Sequence, residues 1–510
     1  MTSPSAALAG PPRDTAAGTA DATRGAVRGG RRVPLLVSGP PTVLALAVVL
    51  PGIGHRQLWR DEHATWWAST LSYPDLGRLT GHIDVVLTPF YVVMHLWTAL
   101  AGTSPAALRL PGALAMAASA GLLALLGRQL SDARTGLVAG LLYAVLPTVT
   151  RYGQEARPYA FAVLFALLAT LVLLRALDRP SLGSWTLYTL AVALTGFSHL
   201  VALSVLPAHA VAVVRARRAG DPIAHWAFGC AMVLGTSAVV PMATEGAGQV
   251  QQIAWNNPVL SDLGEYPVEL LGSWSAAVAV MTLGAVGLLT AGRRGAVPGL
   301  WALLPPVLTF VTSDRLHLFL PRYLLFTVPA WLLLAAAGAV RCADVVTGAA
   351  RTGRRRRVTG ALLLTGAVAG FAVQVWPAVL AARQDLPDEP DFAGAGRVVR
   401  AAQHPGDGIL YSGVFGERKA MAYELRGGTR PDDVLARRTA RQTGSYAAVE
   451  CDVPADCLSG RRRLWLVSTG SGAARTPLRA STAAVLEGRY TVVRTERLRH
   501  VTVQLLERRR

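Results

Sequence analysis

The sequence predicts a polytopic α-helical membrane protein that ends in a small soluble α/β domain, and three observations carry that prediction. Of 510 residues, 52% are hydrophobic and 16% charged, too apolar for an ordinary soluble chain of this length. Apolar runs long enough to cross a bilayer recur through roughly the first 380 residues, and arginines gather in the polar stretches between them. Beyond about residue 383 these runs stop, and shorter strand-like segments take over. The formal net charge of +19 does not mark a nucleic-acid binder, because the arginines lack aromatic interleaving or a binding motif, and their placement is that of topogenic signals.

Residues 1–32 hold Ala, Gly, Pro and Arg with few large apolar side chains, which predicts a disordered cytoplasmic tail. The first span, residues 33–54, follows Arg24, Arg28, Arg31 and Arg32, and so places the N-terminus inside and Asp61 outside. Residues 85–102 are apolar but short, and they carry Pro89, His95 and Trp97. Read as a re-entrant or interfacial helix rather than a span, this stretch leaves Arg128 and Arg134 cytoplasmic and brings Arg151 to Tyr159 out beside Asp61. The alternation then continues. Arg175 and Arg179 fall inside, His199 tops an outer turn, and Arg215, Arg217 and Arg218 fall inside. A long polar loop, residues 243–270, lies outside, as do Asp314, Arg315 and His317, and the basic run from Arg351 to Arg357 lies inside. The count is about eleven crossings, with residues 33–380 as the membrane domain and residues 381–510 outside the cytoplasm.

Within the last segment, residues 408–412, 463–468, 490–494 and 501–506 read as strands, and residues 392–402 and 478–486 as helices. Cys451 and Cys457 lie there and can pair in an oxidising compartment, whereas Cys230 and Cys342 fall in or beside spans.

The outer loops concentrate the chemistry. Leu58 to Trp67 reads LWRDEHATWW, an acidic pair and an imidazole framed by tryptophans at the point where the chain leaves the bilayer. An interfacial aromatic belt is the competing reading of that stretch. A carboxylate against apolar walls can take a proton from a hydroxyl, which makes Asp61 the candidate base, with Glu62 beside it. His63, Asp84, Gln154, Glu155 and His199 fall on the same face. Arg157 and Arg322, each beside a tyrosine (Tyr159, Tyr323) at the outer start of an apolar helix, can hold a phosphate. There is no Walker loop, Rossmann fingerprint, internal repeat or His/Cys metal motif; any divalent cation would have to bind irregular loops.

The stretches LWRDEHATWW, RYGQEARPYAFAVLFALL and LPRYLLFTVPAWLLLAA, in this order, resemble the bacterial glycosyltransferases of the protein O-mannosyltransferase and aminoarabinose-transferase superfamily, of the GT-C fold. The likeness covers about the first 340 residues. It implies an inverting transferase that moves mannose or a related sugar from a polyprenyl-phosphate donor to a glycan, lipid or protein acceptor outside the membrane. The base role carries to Asp61. Where the family often has an Asp or His before Pro-Pro-Leu-Tyr-Tyr, this chain has His82 to Tyr91, HIDVVLTPFY, keeping Asp84 and one proline. The alternative is a transporter or flippase of lipid-linked saccharides, which calls for ionisable groups at span centres rather than in outer loops.

Overall fold

The structure, a computed structural model, describes residues 18–218, 224–348, 353–413, 416–470 and 477–510. Most of the expected tail, residues 1–17, and residues 351–352 of the basic run lie outside the described residues. The first helix, Gly18–Val49, begins upstream of the expected first span.

Among the described residues the apolar helices pack as a bundle. Five are long and apolar enough to cross a membrane by themselves: Pro105–Leu130, Tyr159–Asp178, Leu200–Arg218, Pro321–Thr347 and Gly353–Ala381. Three are bent pairs, Ala133–Ala144 with Pro147–Gly153, Ala224–Ser237 with Val240–Gly248, and Asp262–Leu271 with Trp274–Thr290, broken by 59°, 47° and 98°. The shorter helices Leu182–Ser198 and Ala296–Val311, and the apolar part Pro34–Val49 of Gly18–Val49, lie beside them. In hydrocarbon the helices gain little from hydrophobic contact with one another, so close backbone approach does the packing. Gly287 and Gly338 face each other across Trp274–Thr290 and the helix Val328–Thr347, where a Cβ on either would collide with the carbonyl of Leu334 or Leu283.

One end of the bundle is tied by Gln129 to Asp178 (2.9 Å) and by a bidentate Arg134–Asp344 pair (2.9 and 3.1 Å). The other end carries the acidic loop, Gln154 to Pro158, His199, His317 and the C-terminal domain. The apolar segment Val85–Ala101 starts and finishes at this second end. Asp84, just before it, accepts a hydrogen bond from Tyr446 of the C-terminal domain (2.8 Å). Thr103, just after it, offers its carbonyl to Tyr423 of the same domain (3.2 Å). The segment therefore lies across the bundle end and does not traverse it, as the arginine pattern predicted. Gln249 pins its start, accepting from the Val85 amide (2.9 Å) and donating to the Thr80 carbonyl (3.0 Å).

The C-terminal domain is a five-stranded sheet in the order β2-β1-β5-β7-β6, with β1 Gly408–Tyr411, β2 Asp432–Asp433, β5 Arg463–Thr469, β6 Tyr490–Leu498 and β7 Val501–Arg508. A separate ribbon pairs β3 Ala436–Arg438 with β4 Val449–Glu450. Strand β1 pairs in parallel with β2 and β5, and β5, β7 and β6 pair antiparallel. The run Leu464-Trp465-Leu466-Val467 is buried throughout because both faces of the sheet are covered. Trp465 and Val467 pack under the helices Phe392–Ala402 and Glu417–Glu424, and Leu464 and Leu466 pack under Ala480–Arg489. The four strands read from sequence are present. The short β2, β3, β4 and Glu417–Glu424 carry too little periodicity to be read in advance. Cys451 and Cys457 form a disulfide.

A buried ion pair clamps the acidic loop to the bundle. Glu62, in the helix Arg60–Ser69, is fully enclosed and receives Arg109 bidentately, Nε to Oε1 at 2.8 Å and Nη2 to Oε2 at 2.7 Å. Arg109 spends its other donors on the carbonyls of Ile53, Arg56 and Gln57 (2.9 to 3.0 Å), and Glu62 also accepts from the Ala156 amide at 3.0 Å. Three separate chain segments thus meet at one carboxylate. Burial by itself would raise the Glu62 carboxyl, but the Arg109 charge and its hydrogen bonds hold it down to about 2.

Two expectations follow from this architecture. Glu62→Gln leaves Arg109 charged and buried without its counter-ion, so the protein should lose about 3–5 kcal/mol of stability, read as early thermal unfolding; a melting curve equal to the parent's would contradict the clamp. In a background without Cys230 and Cys342, single cysteines at positions 103 and 430 should react with an impermeant reagent from the same side of the membrane, and one at position 130 from the opposite side. Reaction of 103 together with 130 would mean that Val85–Ala101 crosses after all.

Candidate active site

Asp61 and Glu62 are neighbours on the first turn of one helix, so their side chains leave it about 100° apart. With Glu62 turned into the clamp, Asp61 points the other way. Its carboxylate, half-buried, has no hydrogen-bond donor and no ion pair among the described residues. It faces the charges of Arg157, Arg322 and Lys419 without touching any of them.

Arg157, just before the helix Tyr159–Asp178, and Arg322, in the helical turn Pro321–Thr327, meet on one aromatic floor. The Arg157 guanidinium lies 6.0 Å from the Tyr159 ring, and that of Arg322 lies 5.6 Å from Tyr323 and 5.9 Å from Trp255. Tyr159 and Tyr323 are 6.1 Å apart, and His199 packs against both, at 5.9 and 4.7 Å. Neither arginine has a carboxylate partner among the described residues, and the Nε of each is buried without an acceptor. Burial keeps His199 neutral, its pKa lowered to about 3, with Arg157 and Arg322 adding to the effect. Two half-buried guanidinium groups, each with an enclosed Nε lacking an acceptor, are costly unless an anion comes to them.

Beside this floor opens a cavity of about 360 Å³ lined by Asp84, Arg157, Tyr159, His199 and Tyr323 at its polar side and by aliphatic residues such as Val86, Val201 and Ile253 elsewhere. Asp84 sits in the left-handed region (φ 61°), and its Oδ2 accepts from Tyr91 (2.9 Å) and Tyr446 (2.8 Å). The cavity therefore joins charged and polar side chains, Gln249 and Gln252 among them, to an aliphatic wall, a lining that suits an amphiphile with an anionic head.

The remaining residues singled out from sequence have supporting positions. Gln154 donates to the carbonyls of Val49 and Pro51 (2.7 and 2.9 Å), holding the end of the first helix. Glu155 pairs with Arg151; burial raises its carboxyl, and its Oε1 has no partner. His63 is enclosed between Phe392 and Tyr423 (6.1 and 5.6 Å) with both ring nitrogens unpaired, and burial depresses it to about 3, so it stays neutral and packs the C-terminal domain onto the acidic helix. Among the described residues no three His, Cys, Asp or Glu side chains gather as a metal site.

Sequence reasoning did not single out Arg109, Tyr91, Tyr446 or Lys419. Arg109 carried a signal, a lone charge within an apolar span. Tyr91 and Tyr446 carried none, since they meet across 355 residues of chain.

Residues 84–242 match the family model described as dolichyl-phosphate-mannose-protein mannosyltransferase. No curated protein sequence matches the chain. Among solved structures, ArnT from Cupriavidus metallidurans in the apo state superimposes with a TM-score of 0.58 at 13% identity, over 94% of this chain and 98% of that one. The same protein bound to undecaprenyl phosphate superimposes with a TM-score of 0.56 at 14% identity, over 91% and 97%. The superposition extends over nearly the whole of both chains and shows a shared fold, and the family model matches residues 84–242 within it.

Proposed function

We propose that the protein is a glycosyltransferase that moves a sugar, mannose or a related one, from a polyprenyl-phosphate carrier to a hydroxyl of a glycan, lipid or protein acceptor at the outer face of the cell membrane. The observation that carries this reading is one unpartnered carboxylate, Asp61, close to two half-buried arginines without carboxylate partners, Arg157 and Arg322, of which Arg157 lines a cavity with a largely aliphatic wall. A lipid phosphate matches both parts, the head on Arg157 and Arg322 and the first isoprene units against Val86, Val201 and Ile253. The gathering of ionisable groups at one bundle end favours transfer chemistry over transport. The arginine bias puts the N-terminus in the cytoplasm and the C-terminal domain outside.

In this mechanism the acceptor oxygen attacks the anomeric carbon from the side opposite the phosphate, and Asp61 takes the acceptor's proton. The bond between the anomeric carbon and the phosphate oxygen breaks, and its electron pair stays on the phosphate, where the arginines receive the new charge. One displacement inverts the anomeric configuration. Glu62, consumed by Arg109, serves by fixing the helix that carries Asp61.

Asp61→Asn keeps the shape and removes the proton acceptor, so transfer from a polyprenyl-phosphate sugar to its acceptor should fall by about 10²–10⁴-fold while melting stays near the parent's; turnover above a tenth of the parent's would remove Asp61 as the base. Arg157→Lys and Arg322→Lys keep the charge but lose the planar fork, and each should cost about 1–3 kcal/mol in kcat/KM for the donor. If the two arginines share one phosphate, the double variant should lose less than the sum of the single losses. Strict additivity would assign them separate roles.

A further inference from the structure

Of the 50 Lys and Arg residues in this chain, 49 are arginine and one, Lys419, is lysine. It lies in the C-terminal domain, on the helix Glu417–Glu424, and is only 9% exposed. Its Nζ stands 3.8 Å from the centre of the Tyr446 ring, the same tyrosine whose hydroxyl donates to Asp84 at the wall of the cavity. The adjoining Arg418 is consumed by Asp433 and Glu450 (2.7 and 2.6 Å), whereas Lys419 has no ion pair among the described residues. A buried ammonium group held on an aromatic face and left without a carboxylate is uncommon, and the ring that holds this one is hydrogen-bonded through its hydroxyl to Asp84.

The charges on either side of the reaction give such a cation a task. A polyprenyl-phosphate sugar is a phosphodiester with one negative charge. When the sugar leaves, the carrier becomes a monoester with a second charge to accommodate. We propose that Lys419 is the C-terminal domain's contribution to the transfer site, a cation that meets the phosphate of the lipid-linked donor and the charge it gains as the sugar departs. This rests on the transferase reading above and deepens it. The site is complete only when the soluble domain is docked through Tyr446 on Asp84, Tyr423 on Thr103, and His63 between Phe392 and Tyr423. Burial lowers the ammonium pKa to about 8; Asp84, Asp61 and Glu417 favour the charged form, and Arg157 opposes it. The cation is therefore present at neutral pH and lost on the alkaline side, where the arginines remain charged.

The test is equilibrium binding of undecaprenyl phosphate to the full-length protein in lipid nanodiscs. Lys419→Met, close in length and uncharged, should weaken binding about ten- to a hundredfold, the scale of losing one charge-assisted contact, and Lys419→Arg should stay within about threefold of the parent. Binding to the parent should decline as pH rises through about 8, and Lys419→Arg should move that decline upward. This pH readout holds even if Lys419→Met fails to fold. Parent-like binding by Lys419→Met, or a parent whose binding is flat from pH 7 to 9, overturns the assignment. If Arg157→Met loses binding while Lys419→Met does not, the transferase reading stands and only the Lys419 role is lost. A parent that does not bind undecaprenyl phosphate at all overturns both.

Discussion

The Glu62–Arg109 pair is the constraint on which the rest of this end of the molecule depends. Removing two full charges from water is expensive, and here the cost is offset by saturating nearly every donor and acceptor: two bonds between the partners, three from Arg109 to loop carbonyls, and one from the Ala156 amide to Glu62. The result is less a source of stability than of definition. Residues 53–62, Arg109 and residues 154–156 come from three places in the chain, and a single carboxylate sets their mutual position. Because Asp61 precedes Glu62 on the same helical turn, enclosing one carboxylate orients the other.

From that anchor the electrostatics separate into two populations. Arg109, Arg134 and Arg418 are matched to carboxylates and serve the fold. Arg157, Arg322 and Lys419 are not matched to carboxylates among the described residues, although Lys419 is buried and the Nε of each of the two arginines is enclosed. Aromatic rings, Tyr159, Tyr323, Trp255 and Tyr446, hold them in place without neutralising them. A ring face attracts a cation yet leaves its hydrogen-bond donors for something else. An interior organised this way leaves cationic donors free for an anion, and the aliphatic wall of the neighbouring cavity is what favours a lipid phosphate in the function proposed above.

The soluble domain is part of this arrangement rather than an appendage. Its contacts fall on the two ends of the interfacial segment Val85–Ala101 and on the acidic helix, and they are short and polar or aromatic. Gln57 reinforces the seam, accepting from the Ala393 amide and donating to the Pro390 carbonyl (3.2 and 3.0 Å). A seam of this kind holds position through geometry more than through buried area, which suits the role proposed for Lys419.

The amino-acid sequence alone determined the membrane architecture, because hydropathy and arginine placement are properties of local composition that the bilayer reads segment by segment. The same parity of crossings identified Val85–Ala101 as a segment that does not cross and brought Asp61, Arg157, His199 and Arg322 to one face. Strands such as Arg463–Thr469 were legible for the same reason, being runs whose pattern is their own. Only the tertiary structure decided that Glu62 is spent on Arg109 while Asp61 is left free, and that Asp84 is held by Tyr91 and Tyr446. It alone placed Lys419 from the far end of the chain against the same site. Those outcomes depend on which polar groups find partners across tens to hundreds of residues, and pairing at that distance leaves no periodic trace in the sequence.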